Sequence, residues 1–596
     1  MNKKTSKKHS TLSNTLFALK WQFEIAPGYT VFTLMQTVLG DVVTLFEHTF
    51  LTAYIISCVE QKKTLTDVLY FLIPVAIAVF IKLMINTVFD AYIAPGEREK
   101  IQMKMRMRLY EKAASLELAR YDDSEFYNDF VWAMQKAPDH ITGAVGAFNT
   151  LLSRITVSII AGAYIVSVDA SSLLILVFLI PFTYFSGRAV NKRAMKMQEE
   201  IVPVQRRSDY VSRIFYLADY VKDLKIGNIS PKLEKDLSDS TEDMRAIVKK
   251  RQKPIIALNV ATNSAADLII GGVYLSYLFF KALVLGKFGL GQLLGVYNST
   301  QTLNGKVLTA VSNLSEFQNH SLYIEKLRRF SETENTMEDN GRKALPAGGD
   351  IVLRNVEFTY PGNSEPTLRG VSCSFRKGEK VALVGFNGAG KSTLIKLILR
   401  LYDPTGGEIS YGGENIKSYR IADYRGCFGV LFQDYELIAT DLAHNISADD
   451  KPLDIKRADE ALKKSAFWDK FKTLPNGYET QLTKEFEEGG FTPSGGEKQK
   501  IALARVLYAD SDIIILDEPS GALDPIAEYT LNKTVTELSS DKTVIIISHR
   551  LSTTRFADKI YMLANGEIIE SGTHEKLIQQ NGKYAEMFRL QAEKYR

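Results

Sequence analysis

Val381-Ala-Leu-Val-Gly385-Phe-Asn-Gly-Ala-Gly-Lys-Ser392 is the stretch on which the fold of half the chain turns. The run Val381–Gly385 is apolar and partly β-branched, reading as a short buried strand. Gly385–Ser392 fits G-x-x-x-x-G-K-[ST], and Thr393–Leu401 continues with helical spacing. Strand, glycine loop and helix in that order make a phosphate-binding loop. The small residues of the loop, Gly385, Asn387, Gly388, Ala389 and Gly390, let backbone N–H groups approach phosphate oxygens, and the helix start at Lys391, Ser392 and Thr393 adds a favourable dipole. The spacing assigns Lys391 to the β- and γ-phosphates of a nucleotide and Ser392 to Mg²⁺.

About 125 residues further on, Ile513-Ile-Ile-Leu-Asp-Glu518 is a second apolar strand, ending in two carboxylates. The carboxyl end of a strand is where open α/β sheets bind ligands. Asp517 is therefore expected to support the magnesium shell, and Glu518 to orient and deprotonate an attacking water. A third apolar strand, Thr543–Ser548, ends at His549, expected to contact the γ-phosphate. Between these motifs, Pro493-Ser-Gly-Gly-Glu-Lys-Gln-Lys500 precedes a helical pattern. Ser494 and Glu497 have the S-x-x-E spacing of a capping box, so Ser494, Gly495, Gly496 and the helix start can face a phosphate. Glu497 brings negative charge close to that anion.

The first half has different physics. Six long apolar segments lie near 29–58, 66–93, 145–168, 171–190, 255–280 and 290–314, each long enough for the roughly 20 residues a bilayer requires. The sixth carries Gln292, Asn298, Gln301 and Lys306 and is too polar to qualify on hydropathy alone; a bundle interior excuses that. Lysine and arginine gather at the amino terminus, in 98–136 and in 188–253, which puts both termini and both long loops on the cytoplasmic side. Those loops read as helical stalks, the first kinked at Pro95-Gly96, with aromatic and aliphatic patches at 120–128 and 222–227 suited to docking. Asp41, Glu47, Lys82, Asp90 and Asp267 fall inside apolar segments, where charge must pair or face water; Asp41 and Asp267 could favour cationic or peptide cargo. No cleavable signal peptide is expected after Met1–Ser10. The polar, then Pro/Gly-rich stretch Ser331–Gly349 reads as a linker.

Composition narrows the function. A chain of 596 residues with a net charge of only +4 is poorly suited to neutralising many phosphates, so no direct nucleic-acid partner is expected. Three cysteines, Cys58, Cys373 and Cys427, lack any metal-ligand or disulfide-framework spacing.

The order of phosphate loop, glutamine segment, S-G-G motif, L-D-E strand end and histidine resembles the nucleotide-binding domain of ATP-binding cassette (ABC) transporters over roughly Asp350–Arg596. The membrane half resembles the six-helix exporters that carry both parts on one chain. The resemblance implies a multidomain fold: an all-α six-helix transmembrane bundle with long cytoplasmic helical extensions in residues 1–330, coupling loops near 96–140 and 188–254, a linker at 331–349, and an α/β P-loop NTPase domain at 350–596. It also implies that Tyr360, in Phe358-Thr-Tyr-Pro361, stacks on adenine and that Gln433, in Leu431-Phe-Gln-Asp434, reaches Mg²⁺ and the attacking water. Asp524, in Gly521-Ala-Leu-Asp524, looks like the D-loop acid. The family usually has Leu-Ser-Gly-Gly-Gln; Pro493 and Glu497 depart from it.

With ATP and Mg²⁺ as cofactors, the resemblance implies a half-transporter. It pairs with a second copy of itself or a related chain, each ATP lying between the phosphate loop of one chain and the S-G-G helix of the other. The expected setting is a lipid bilayer, the bacterial plasma membrane, with both termini cytoplasmic. The expected substrate is a peptide, lipid or amphipathic small molecule. An ATP-gated channel or regulatory membrane protein is the alternative.

Overall fold

The computed structural model describes residues 9–519, 521, 524–537, 542–548 and 554–592. The chain divides into two compact units. One joins Met1–Ser115 to Asn128–Thr333; the other joins the short segment Leu116–Tyr127 to everything from Glu334 onward.

The first unit is helical. Among the described residues, five runs are long and apolar enough to cross a membrane: Pro27–Glu60, Leu65–Ser115, Asp129–Val168, Ala170–Tyr216 and Ser230–Val284. The sixth expected segment is the start of the 43-residue helix Leu290–Glu332. Its polar residues find partners, as Asn298 Nδ2 donates to the His48 carbonyl (3.0 Å) and Lys306 Nζ lies 3.0 Å from Asp41 Oδ1. At the expected Pro95-Gly96 kink the chain stays helical. Both residues lie within the helix Ala94–Ser115, and the irregularity falls in the wide turn Phe89–Ile93 just before it. Proline lacks an N–H and crowds the preceding turn, and a widened turn relieves that strain without breaking the helix.

Glycines set how closely the helices of this unit approach. A Cβ at Gly291 would sit 2.0 Å from Ser57 Oγ and 2.4 Å from the Ala53 carbonyl oxygen, and one at Gly295 would sit 2.3 Å from the Tyr164 hydroxyl. The Ala53 contact is backbone and cannot rotate away. Gly291→Val is therefore expected to destabilise the bundle by at least the 1–3 kcal/mol typical of overpacking, read as a lower unfolding temperature in detergent. An unchanged melting profile would show that the two helices separate freely.

Among the described residues, the second unit contains two sheets. An antiparallel sheet has the order β2-β1-β4-β5, from Leu368–Phe375 (β2), Ile351–Phe358 (β1), Gly406–Tyr411 (β4) and Glu414–Asn415 (β5). A six-stranded sheet has the order β10-β9-β3-β8-β7-β6, from Glu567–Gly572 (β10), Lys559–Ala564 (β9), Lys380–Gly385 (β3), Thr543–Ile547 (β8), Ile513–Asp517 (β7) and Phe428–Leu431 (β6). Strands β9, β3, β8, β7 and β6 run parallel, and β7 and β8 are buried along their whole length. Such burial on both faces explains why they read as unbroken apolar runs. Register matters most at one edge: Leu383 and Asp517 both pair with Ile547, so the phosphate loop after β3 and the carboxylates after β7 emerge together.

The linker expected at Ser331–Gly349 is bound rather than free. Ser331 and Glu332 complete the long helix, and the residues after Glu334 lie along the second unit. Arg400, wholly buried, donates to the Glu338 carbonyl (2.7 Å); the Ile421 N–H donates to Asp339 Oδ1 (2.8 Å), and the Lys343 N–H to the Ser418 carbonyl (3.1 Å). A buried guanidinium must find acceptors, and the linker backbone supplies one.

Candidate functional site

At the phosphate loop, Gly388 and Gly390 have φ of +79° and +100°, a region closed to most side chains. Gly385 has no room for a Cβ, which would lie 2.3 Å from the Leu563 carbonyl oxygen. Asn387 and Gly388 are exposed while Ala389 and Gly390 are buried, so the loop folds over the sheet edge with its tip outward. Lys391 opens the helix Lys391–Ile398 and donates through Nζ to the carbonyls of Gly385 (2.8 Å) and Phe386 (3.1 Å). Burial holds this ammonium below its ordinary pKa, and the Glu518 and Asp517 carboxylates pull the other way. Thr393, one turn in, bonds the Tyr360 hydroxyl (Oγ1 to OH 3.1 Å), and Tyr402 meets the Tyr360 ring edge-on at 5.5 Å.

Ser392 Oγ donates to Asp517 Oδ2 (3.3 Å), and Gln433 Nε2 donates to Glu518 Oε2 (3.0 Å). Asp517 is buried at the end of β7, and its pKa is pushed up to about 6 by that burial. The Ser392 bond and Lys391 oppose the rise, whereas Glu518 and Asp434 add to it. Glu518 is the first residue beyond the strand and adopts a left-handed φ of +51°, its N–H donating to the Ile547 carbonyl (2.9 Å). Two adjacent carboxylates thus part company through a change of backbone handedness, not by strand alternation. Buried Gln499, which the sequence reading passed over, helps hold this bend by donating to the Pro519 carbonyl (2.6 Å). A glutamine two residues past the capping glutamate, on the inner face of the helix, was the available sign.

Ser494 caps the helix Gly495–Ala509. Glu497 Oε2 accepts the Ser494 N–H (2.8 Å) and the Glu497 N–H points back at Ser494 Oγ (3.4 Å), leaving Ser494 and Gly495 exposed at the helix start. Asp524 caps the helix Pro525–Glu537 by accepting the Ala527 N–H (2.8 Å), and pairs with Lys500 (3.2 Å). His549 lies outside the described residues, as do Ala522 and Leu523 of the expected D-loop.

Residues 368–521 match the family model described as ABC transporter. The subtilin transport ATP-binding protein SpaT of Bacillus subtilis is 30% identical over 506 residues, covering 82% of this chain and 79% of that protein. The chain belongs to the ABC transporter family. The ATP-dependent lipid A-core flippase of Salmonella typhimurium is 29% identical over 542 residues, 89% of this chain and 90% of that one. Among solved structures, a bacterial Atm1-family ABC exporter with ATP bound superposes with a TM-score of 0.77 at 22% identity, over 96% of this chain and 99% of that chain. The fold is thus a helical membrane unit followed by the ABC NTPase, and this ABC transporter is a multi-pass membrane protein that binds ATP and couples its hydrolysis to transport.

The ABC transporter's cassette also holds a segment from between two membrane helices. Ala119 packs against the sheet core, and the Tyr402 hydroxyl donates to Asp122. The Glu117 side chain, 2% exposed, accepts from the N–H groups of Thr336 (3.0 Å) and Met337 (2.8 Å) and from Thr336 Oγ1 (2.5 Å), and lies 3.3 Å from Arg120 Nε. Its own N–H donates to Asn335 Oδ1 (3.0 Å). Within the patch expected at 120–128, Arg120 and Asp122 make these contacts, while Tyr127 is 50% exposed. In the other patch, at 222–227, Ile226 is 89% exposed.

Of the membrane charges in this ABC transporter, Asp41 is fully engaged. It accepts from Ser153 Oγ (2.5 Å) and Arg154 Nη1 (2.7 Å) and pairs with Lys306 (3.0 Å). Lys82 donates to Thr44 Oγ1 (2.8 Å), and Asp90 accepts from Gln36 Nε2 (3.4 Å). An apolar cavity of about 440 Å³ is lined by Arg154, Lys306, Ile155, Tyr184 and Leu303 among others.

Proposed function

We propose that the protein is an ATP-driven exporter that works as a pair of chains, most simply two identical copies, in the bacterial plasma membrane with both termini cytoplasmic. The observation that carries the hydrolytic part is the Gln433–Glu518 contact of 3.0 Å beside the Ser392–Asp517 contact of 3.3 Å, at the mouth of the phosphate loop. In this reading Lys391 leaves the Gly385 and Phe386 carbonyls for the β- and γ-phosphates, Tyr360 stacks on adenine, and Gln433 and Glu518 hold the attacking water between them. Glu518 takes its proton as the bond to the γ-phosphorus forms and the β,γ-bridging P–O bond breaks, with ADP as the leaving group. His549 is assigned the γ-phosphate contact on sequence grounds alone.

The donor set fits Mg²⁺. A hydroxyl, one carboxylate and one amide oxygen are hard ligands of the kind a small dication takes. When bound, the ion neutralises charge developing on the transferred phosphoryl group.

The second half of each ATP site would come from Ser494, Gly495, Gly496 and Glu497 of the other chain, with Asp524 bracing the helix behind them. Nucleotide closure of the pair would bias the membrane unit from inward to outward facing, and hydrolysis would reset it. The cargo we infer is a peptide, lipid or amphipathic small molecule. The functions those relatives are named for, subtilin transport and lipid A-core flipping, support the first two. Asp41 lends no support to a cationic preference, since Arg154 and Lys306 together outnumber its charge.

The test is ATP-dependent uphill movement in sealed vesicles, with ATPase stimulation measured across peptides, lipids and cationic dyes. Stimulation by one class together with uphill efflux is expected. Passive ion current without uphill movement would overturn export in favour of an ATP-gated channel.

A further inference from the structure

Glu497 stands in the first turn of the helix Gly495–Ala509, where the proposed composite site would bring a triphosphate. A carboxylate there satisfies the helix cap but opposes the incoming anion. Its negative charge is firm: burial pushes its pKa up, yet the Ser494 N–H and hydroxyl and the nearby Lys470 outweigh that and hold it below the ordinary carboxylate range.

The structure supplies a counter-charge from a different element. Lys470, on the short helix Trp468–Phe471, places Nζ 3.5 Å from Glu497 Oε1. The same ammonium lies 5.0 Å from the centre of the Phe491 ring, two residues before Pro493, so the lysine bridges the approach to the S-G-G turn and the first turn of its helix. With side-chain exposures of 42% and 24%, Lys470 and Glu497 remain open to solvent and to any anion arriving at that helix start. A pair this exposed adds little to stability by itself. Its larger effect is on the field felt by an arriving charge.

We propose that Lys470 is a positioning residue of the ATP site: it neutralises Glu497, so that the Ser494–Gly496 turn accepts a triphosphate despite the acid beside it. This rests on the composite-site reading above. In that site Lys470 acts through Glu497 and the turn it caps, not on the reacting atoms.

The test is a double-mutant cycle on the full-length chain in lipid nanodiscs, reading KM for Mg-ATP and kcat separately. Lys470→Met is expected to raise KM about three- to tenfold while kcat falls less than about twofold. Lys470→Arg restores the wild-type KM, and in a Glu497→Gln background Lys470→Met shifts KM by less than about 1.5-fold. Higher salt should shrink the Lys470→Met effect. The same KM shift in both backgrounds, or none in either, overturns the proposal; so does a fall in kcat with KM unchanged. Ser494→Phe in the same preparation separates the two levels. If it leaves KM and kcat unchanged, the composite-site reading itself has failed, whereas lost turnover in Ser494→Phe alongside an inert Lys470→Met condemns the Lys470 role alone.

Discussion

Glu518→Gln is expected to lower steady-state ATP hydrolysis by about 10²–10⁴-fold, the contribution of a positioned general base, while the protein still binds Mg-ATP. The substitution is close to isosteric. Gln433 Nε2 now donates to Glu518 Oε2 over 3.0 Å, and an amide oxygen at that place can accept the same bond. The bend at φ +51° rests on the Glu518 N–H to Ile547 carbonyl bond and on Gln499 bonding the Pro519 carbonyl, neither of which involves the carboxylate. Lys391 and Ser392 are untouched, so nucleotide affinity should survive and the ATP-bound state should accumulate. Phosphate release and equilibrium nucleotide binding, measured on one preparation, check both halves. Turnover above about a tenth of wild type would mean that another group takes the proton.

Glu117→Ala is expected to separate ATP hydrolysis from transport. The carboxylate organises three donors from Thr336 and Met337 with Arg120 alongside, and truncation leaves those groups without their acceptor in a place water scarcely reaches. Removing one member of such a buried set costs about 3–5 kcal/mol locally. None of these atoms touches the phosphate loop. Basal ATPase should therefore change little, while cargo-stimulated ATPase and uphill efflux fall by about an order of magnitude, within the usual range of coupling energies.

The pH dependence has a definite sign. Burial raises the Glu117 pKa, but the Thr336 and Met337 donors and Arg120 outweigh it, so the folded-state pKa lies below the ordinary carboxylate value. The clamp's contribution is then complete above the unfolded-state pKa of about 4.3 and lost as pH falls through the folded-state value. The melting difference between wild type and Glu117→Gln should be flat from pH 6 to 8 and vanish in acid. Proportional loss of basal ATPase and transport in Glu117→Ala would show that the clamp serves stability alone.

Much of this architecture could be read from the chain because its signals are local. Glycines that must take positive φ, a lysine at a helix start and unbroken β-branched runs each report their own surroundings. The S-x-x-E spacing likewise announced the cap at Ser494. What escaped depends on residues distant in sequence. Nothing around Leu116–Tyr127 says that it belongs with Thr336 and Tyr402, more than 200 residues away. Ser331–Gly349 read as a linker, but its composition could not show that it lies on a buried arginine, because a stretch that does not has the same composition. At Pro95 the proline was legible, but the widened turn Phe89–Ile93 that precedes it was not. Asp41 looked like a bait for cations until its two basic neighbours, on other helices, came into view.

The borrowed stretch between Ser115 and Asn128 bears on how the molecule can be taken apart. A recombinant fragment beginning at residue 334 would carry every nucleotide-contacting motif, yet it would be missing part of its own wall. Tyr402 would lose its acid and Thr336 its acceptor, and the core surface against which Ala119 packs would open to solvent. Dissection at the obvious joint therefore yields a piece prone to clumping. Grafting 116–127 back onto such a fragment is the economical remedy.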